Sequence, residues 1–151
     1  MISDIRELYQ SVILDHNKRP RNFCEPAGAN CSAAGVNPLC GDRIVIYLSV
    51  EDDVVVDAGF KGTGCAISTA SASLMTQGIK GKKIDEVERI FGGFHEMVTS
   101  QPDVGVPEEG LGKLSVFSGV REFPVRVKCA TLAWHAMREA LNDTGVTATT
   151  E

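Results

Sequence analysis

Arg43-Ile44-Val45-Ile46-Tyr47-Leu48-Ser49-Val50 and Val54-Val55-Val56-Asp57-Ala58-Gly59-Phe60 flank the acidic triplet Glu51-Asp52-Asp53. Both runs concentrate β-branched and aromatic side chains, the types that fit a pleated, half-buried surface, and the triplet has the composition of a turn. They read as two antiparallel strands joined in a hairpin.

Upstream of the hairpin, Ile5, Leu8, Tyr9, Val12 and Ile13 recur at i, i+3, i+4, i+7 and i+8, one face of an amphipathic helix. Ser3 or Asp4 is placed to cap it, and it should end before Pro20. Residues 21–38 show no period and read as irregular chain with room for one short edge strand. Downstream, Gly62-Thr63-Gly64 gives way to a helix over 65–78 with Ile67, Ala70, Leu74 and Gly78 on one face. The next helix carries Ile84, Val87, Phe91 and Phe94 and is entered through Asp85 and Glu86, which suit the positive end of its dipole. Residues 99–119 are mostly loop, with one short helix at 111–117. A last helix opens on Pro124, buries Leu132, Ala133, Ala136, Met137 and Ala140, and is stopped by 142–145. The sum is an α+β fold: a small antiparallel sheet packed against helices, in a single domain over 1–145 with a frayed tail at 146–151.

A chain of 151 residues suits one domain, and 43% hydrophobic with 23% charged residues is ordinary globular composition. The net charge of -5 argues against nucleic acid as a partner. The basic run Lys18-Arg19-Pro20-Arg21 reads as a solvated loop or a dock for an acidic patch. No apolar stretch approaches the roughly 20 residues of a membrane span. The start, Met1-Ile2-Ser3-Asp4-Ile5-Arg6-Glu7, has neither the basic nor the apolar block of a secretory signal, so a cytoplasmic location is expected. There the five cysteines stay reduced, which favours metal binding, thiol chemistry or burial over disulfides.

Cys40-Gly41-Asp42 lies just before the first hairpin strand. In extended chain, residues i and i+2 project to one side, so a thiolate and a carboxylate can face one ion while Gly41 lets the backbone bend. Cys65 follows Gly62-Thr63-Gly64 at a helix start, where free N–H groups and the dipole favour thiolate over thiol. Cys129 falls early in the last helix beside Lys128 and near Arg126, cations that lower a thiol pKa where they point inward. Three sulfurs and a carboxylate would make a tetrahedral set, soft enough for zinc or an iron-sulfur cluster rather than magnesium or calcium. Spacing leaves plain burial open, because Cys129 shares a helical face with Leu132 and Ala133 and the chain has no Cys-x-x-Cys pair. Cys24 and Cys31 read as packing residues. His16, His95 and His135 read as surface or packing residues, and Trp134 as a core or interface anchor.

Asn37-Pro38-Leu39-Cys40-Gly41-Asp42, Gly62-Thr63-Gly64-Cys65-Ala66-Ile67-Ser68-Thr69-Ala70-Ser71-Ala72-Ser73 and Phe123-Pro124-Val125-Arg126-Val127-Lys128-Cys129-Ala130-Thr131-Leu132-Ala133-Trp134, in this order, resemble the U-type iron-sulfur cluster assembly proteins. The likeness extends back to Leu8-Tyr9 and Asp15-His16. It implies the SufU/IscU-like α+β fold, with Cys40, Asp42, Cys65 and Cys129 converging at one end. In the IscU scaffold type a histidine precedes the third cysteine, and a Leu-Pro-Pro-Val-Lys segment before it is read by a dedicated chaperone. Here Lys128 fills the histidine position, the segment at 123–128 departs from the chaperone motif, and extra residues stand around 101–120. These features resemble the SufU type.

That resemblance implies Zn2+ on Cys40, Asp42, Cys65 and Cys129, and a sulfurtransferase acting with a pyridoxal-phosphate cysteine desulfurase of the SufS type. Downstream SUF assembly proteins would be further partners. A ligand from the docked desulfurase would displace Cys40 from zinc, and Cys40 would then attack the persulfide. Asp42 would keep the ion, and Arg126 would orient Asp42 or steady the developing charge. The alternatives are a scaffold on which a [2Fe-2S] cluster is assembled, and a zinc-stabilised domain without chemistry. Lys128 favours the sulfur acceptor over the scaffold, because an ammonium is a poor ligand for iron.

Overall fold

The computed structural model describes residues 2–100, 111–142 and 148–149, with side chains described from residue 10 to 100 and from 111 to 142. In chain order the elements are α1 (Ile2–Lys18), β1 (Cys31–Asn37), β2 (Asp42–Glu51), β3 (Val54–Thr63), α2 (Ala66–Ile79), β4 (Lys82–Lys83) and α3 (Ile84–Thr99). A 3-10 run (Gly112–Glu122), α4 (Pro124–Asn142) and β5 (Ala148–Thr149) follow. The sheet order is β4-β3-β2-β1-β5, with β1, β2, β3 and β4 antiparallel to their neighbours and β5 parallel to β1.

The hairpin forms as its composition dictates. Only Asp52 and Asp53 separate the paired Glu51 and Val54, and both adopt left-handed backbone, with φ of 52° and 63°. Two consecutive left-handed residues give the turn whose twist matches that of the strands, and aspartate tolerates the conformation. Along β2, Ile44, Ile46 and Leu48 are buried while Val45 and Tyr47 on the other face are half-buried, the period-2 alternation of a strand covered on one side. A break in register at Ser49 and Val50 leaves Val56 without a cross-strand partner, and Val56 is exposed.

The region at 21–38 holds more order than its composition suggests. β1 is seven residues long and is flanked by β2 and β5, so it is an inner strand rather than an edge. Its small side chains lack β propensity because they serve another contact: a Cβ on Gly35 would lie 3.0 Å from Leu132 and 3.2 Å from Ala136. α4 lies this close to the sheet because nothing projects at Gly35. Of the tail expected at 146–151, Ala148 and Thr149 pair with Gly35 and Val36, and the other residues lie outside the described ones. The helical turn expected at 111–117 is the longer 3-10 run, and β4 was not foreseen. The side chains of Ser3, Asp4, Ile5, Leu8 and Tyr9, which carried the reading of the first helix, lie outside the described residues; the helix ends at Lys18, ahead of Pro20.

α2 is the centre of the helical layer. Every residue from 70 to 76 is buried, all round the helix rather than on one face. Alanines and serines make this close approach possible, and the serines are satisfied: Ser71 Oγ donates to the Ala130 carbonyl at 2.5 Å and accepts from the Trp134 indole N–H at 3.1 Å. Trp134, fully buried, stacks on Phe94 of α3 with ring centres 4.5 Å apart, and Phe117 meets Phe94 edge-on. No helix among the described residues is long and apolar enough to cross a membrane.

α1 is fastened to α2 through Ser73. Its hydroxyl lies 2.7 Å from Nδ1 of the buried His16 and accepts the Arg21 backbone N–H at 2.8 Å. Burial pushes the His16 pKa below the ordinary 6.5, as does the nearby Arg21 cation; Asp15 opposes them, and Lys113 adds a smaller push down. The unfolded chain therefore takes up this proton first, so the contribution of His16 to stability is full above about pH 6.5 and is lost as pH falls below it. The melting temperature should fall between about pH 7.5 and about 5.5, and His16→Gln should fall less steeply. Half-buried His135, displaced in the same direction, supplies the slope that remains. Ser73→Ala should cost about 1–3 kcal/mol in chemical denaturation.

Candidate metal centre

The turn between β1 and β2 brings the first two donors into place. Asn37 and Asp42 are cross-strand partners, and the Cys40 N–H donates to the Asn37 carbonyl at 3.2 Å. Gly41 closes the turn at φ 71°, a conformation that disfavours any side chain. Cys40 is exposed at its tip, whereas Asp42, the first residue of β2, is buried.

Asp42 is held from α2. Its Oδ1 accepts the Cys65 N–H at 2.9 Å, and its Oδ2 accepts the Ser68 hydroxyl at 2.6 Å. Cys65 is the N-cap of α2, as the glycine-rich approach led us to expect, and its sulfur accepts the Ser68 N–H at 3.5 Å. The Cys65 thiol lies 3.7 Å from Asp42 Oδ2. The strand-to-helix link depends on Gly62, whose φ is 135° and where a Cβ would collide with the Arg43 carbonyl.

Cys129 comes from α4 and is 2% exposed. Its sulfur donates to Cys40 Sγ at 3.5 Å and accepts the Asn37 Nδ2–H at 3.6 Å. Both readings that its spacing left open therefore hold, since it is buried and it faces the other donors. Burial pushes the Cys129 thiol far up, reinforced by hydrogen bonds that its S–H gives to Cys40 and Cys65 and by the charges of Cys65 and Asp42. Ligand atoms of Cys40, Asp42 and Cys129 all lie within 4.8 Å of one another. Cys65 stands against Asp42 and Cys129 but outside that mutual set.

Three sulfurs and one carboxylate converge, and among the described residues no cationic side chain pairs with any of them. A soft dication is the counter-charge this donor set fits, zinc or iron rather than magnesium or calcium. The fit is supported by Cys129, whose thiol is raised first by burial and then by the acidic groups beside it.

The remaining residues singled out from sequence fall elsewhere. Arg126 is exposed with its guanidinium over the Phe123 ring, 4.6 Å from the centroid, and the Asp42 carboxylate is held by Cys65 and Ser68 instead. Lys128 is half-buried. Cys31 is six residues along β1 from Asn37, about 20 Å at the usual strand rise. The exposed Cys24 lies beside Gly59 of β3, away from the site end of the hairpin. His16 bonds Ser73, and His95 and His135 contact each other and Phe91, so none joins the donors. Sequence reading passed over Ser68 and Asn37. The signal for Ser68 is its position three residues after an N-cap, and for Asn37 its place opposite Asp42 across a tight turn.

Fold and site together define a thiol-rich α+β domain with a candidate metal centre. Residues 8–130 match the model of the NifU-like N-terminal domain. The chain is 41% identical over 143 residues to the zinc-dependent sulfurtransferase SufU of Bacillus subtilis, covering 92% of each protein. It is 39% identical over 140 residues to the iron-sulfur cluster assembly scaffold protein IscU of Streptococcus pyogenes, covering 93% of this chain and 86% of that one. A crystal structure from Fervidobacterium islandicum, of a candidate assembly scaffold for the SUF system, superposes with a TM-score of 0.80 at 32% identity, over 86% of this chain and 93% of that one. The chain belongs to the NifU-like N-terminal domain family, that of the IscU and SufU proteins.

Zinc added at about 100 times its dissociation constant should stabilise the metal-free protein by about 2.7 kcal/mol, read as a rise in melting temperature. Cys129→Ser and Cys65→Ser should lose most of that rise along with bound zinc, and Cys24→Ser should keep both.

Proposed function

We propose that this chain works in iron-sulfur cluster biogenesis as a zinc-dependent sulfur acceptor, taking persulfide sulfur through Cys40 from a pyridoxal-phosphate cysteine desulfurase of the SufS type. The observation that carries the reading is the contrast among the four donors. Asp42 and Cys129 are buried, and Cys65 is half-buried at a helix cap. Cys40 alone of the four is exposed, on a turn that continues into Gly41 with open space around it. Leu39 beside it is 66% exposed, so a partner can reach this tip.

Zinc held by Cys40, Asp42, Cys65 and Cys129 would keep the sulfurs as thiolates at neutral pH. The chain's own part is nucleophilic. The Cys40 thiolate forms a bond to the outer sulfur of the partner's persulfide, the partner's sulfur-sulfur bond breaks, and its electron pair leaves on the partner's cysteine thiolate. Cys40 then carries the persulfide. Asp42, fixed by the Cys65 N–H and the Ser68 hydroxyl, keeps its place while the turn moves. Arg126 stands three residues before Cys129 on the opening turns of α4, and its long exposed side chain is suited to steady charge on the incoming sulfur.

The 41% identity to a protein named as a zinc-dependent sulfurtransferase supports this reading, as does Lys128. The second reading treats a [2Fe-2S] cluster as cargo on the same residues, in keeping with the relative named as a scaffold. Aerobic purification separates them: about one zinc per chain supports the first, and stoichiometric iron with sulfide the second. A cytoplasmic location and downstream SUF assembly proteins belong to the same proposal.

Cys40→Ser should abolish stimulation of the desulfurase, while Cys24→Ala and Cys31→Ala stay near wild type. Mass spectrometry after incubation with desulfurase and cysteine should find one added sulfur on the Cys40 peptide. Persulfide on Cys24 or Cys31, or full activity of Cys40→Ser, would sink the relay.

A further inference from the structure

We propose that Asn37 is a positioning residue of the metal centre, whose side-chain amide donates to the sulfur of Cys129 and holds that thiolate in the donor set. The inference rests on the reading of Cys40, Asp42, Cys65 and Cys129 as metal ligands. Asn37 is the last residue of β1, is completely buried, and faces Asp42 across the ladder. Its Nδ2 lies 3.6 Å from Cys129 Sγ, and its backbone carbonyl accepts the Cys40 N–H at 3.2 Å. One side chain and its backbone thus tie together Cys129, Cys40 and Asp42, from α4, the turn and β2.

The other half of the amide is more telling. Oδ1 of Asn37 is sealed from solvent and has no hydrogen-bond partner, a state shared among the described residues with Ser49 Oγ. A buried acceptor without a partner costs stability, and such groups are uncommon in natural proteins. A small apolar residue would end β1 without that cost, so packing does not account for an asparagine. A donor aimed at sulfur does. A thiolate only accepts hydrogen bonds, so once Cys129 is deprotonated the amide must present its N–H there and leave Oδ1 unpaired. The bond spreads charge on the sulfur and fixes its direction, as hydrogen bonds behind metal ligands do.

The test uses the full chain as wild type, Asn37→Ala and Asn37→Asp, each prepared metal-free. Thermal melting is recorded without metal, zinc affinity by competition with a chromophoric chelator, and the sulfur-to-metal charge-transfer band after cobalt loading. Metal-free Asn37→Ala should melt at or above wild type, because the orphaned acceptor is gone, while its zinc affinity falls about tenfold or more and the cobalt band shifts. Asn37→Asp keeps the shape but puts an oxygen where the donor stood, and should lose affinity to a similar degree; it carries the test if the alanine variant does not fold. Unchanged affinity and an unmoved band in either folded variant would overturn the proposal. So would a metal-free alanine variant whose melting temperature drops in step with its affinity, since that is the mark of a packing role. Wild type that binds no zinc would remove the metal reading itself, and this inference with it.

Discussion

The crossing of α2 over α4 is the constraint from which the rest follows. Ser71 stitches the two helices by donating to the Ala130 carbonyl and accepting from the Trp134 indole, so one hydroxyl satisfies two groups that burial would otherwise strand. Alanines and serines along α2 leave room for α4 beside it, and Gly35 leaves room for α4 on the sheet. A larger residue at any of these points would separate the layers. With the crossing fixed, Cys65 before α2 and Cys129 on α4 come to the end of the sheet where β1 turns into β2.

That convergence is unfavourable for the protein alone. Four acidic groups share one end of the fold, and the most buried of them, Cys129, is driven toward its neutral form. The fold withstands this by supplying donors from the backbone and from short side chains. Asp42 is met by the Cys65 N–H and the Ser68 hydroxyl, and the Cys65 sulfur by the Ser68 N–H. A donor set held so firmly before an ion arrives has little rearranging to do when it binds. Cys40 is the exception: its N–H is held by Asn37, and among the described residues its exposed sulfur is met only by the Cys129 thiol.

The hairpin, the helices after it and the placing of Cys40, Asp42 and Cys65 were legible because each leaves a local mark, whereas the spacing of Cys129 read equally as burial. Strand residues concentrate β-branched types, Cys65 follows two glycines into a helix, and Cys40 and Asp42 are spaced for one side of extended chain. β1 was not legible as an inner strand. Gly35 is set by what α4 needs from the other side, and the small residues around it carry no period. Asn37 and Ser68 were missed for a related reason. Their roles come from register across a turn and from the meeting of separate elements, and neither position differs by residue type from an ordinary turn asparagine or helix serine. For Arg126, what was implied rested on a likeness in sequence; the side chain lies over Phe123.

The helix ends show how deeply the negative charge is built in. α3, which takes no part in the site, carries Asp85 and Glu86 in its first turn, the ordinary way to satisfy the positive end of a helix. α2 and α4 have no acidic residue in theirs. At α2 that place is taken by Cys65 and by the Asp42 carboxylate, which accepts the N–H of the N-cap residue. On α4, Cys129 lies past the first turn and donates to Cys40. At α2, then, the Cys65 sulfur and the Asp42 carboxylate do what Asp85 and Glu86 do for α3. Exchanging Cys65 and Asp42 for neutral residues would remove two candidate metal ligands and also leave the start of α2 without its counter-charge, which is why the candidate centre and the helix that carries it are one electrostatic unit.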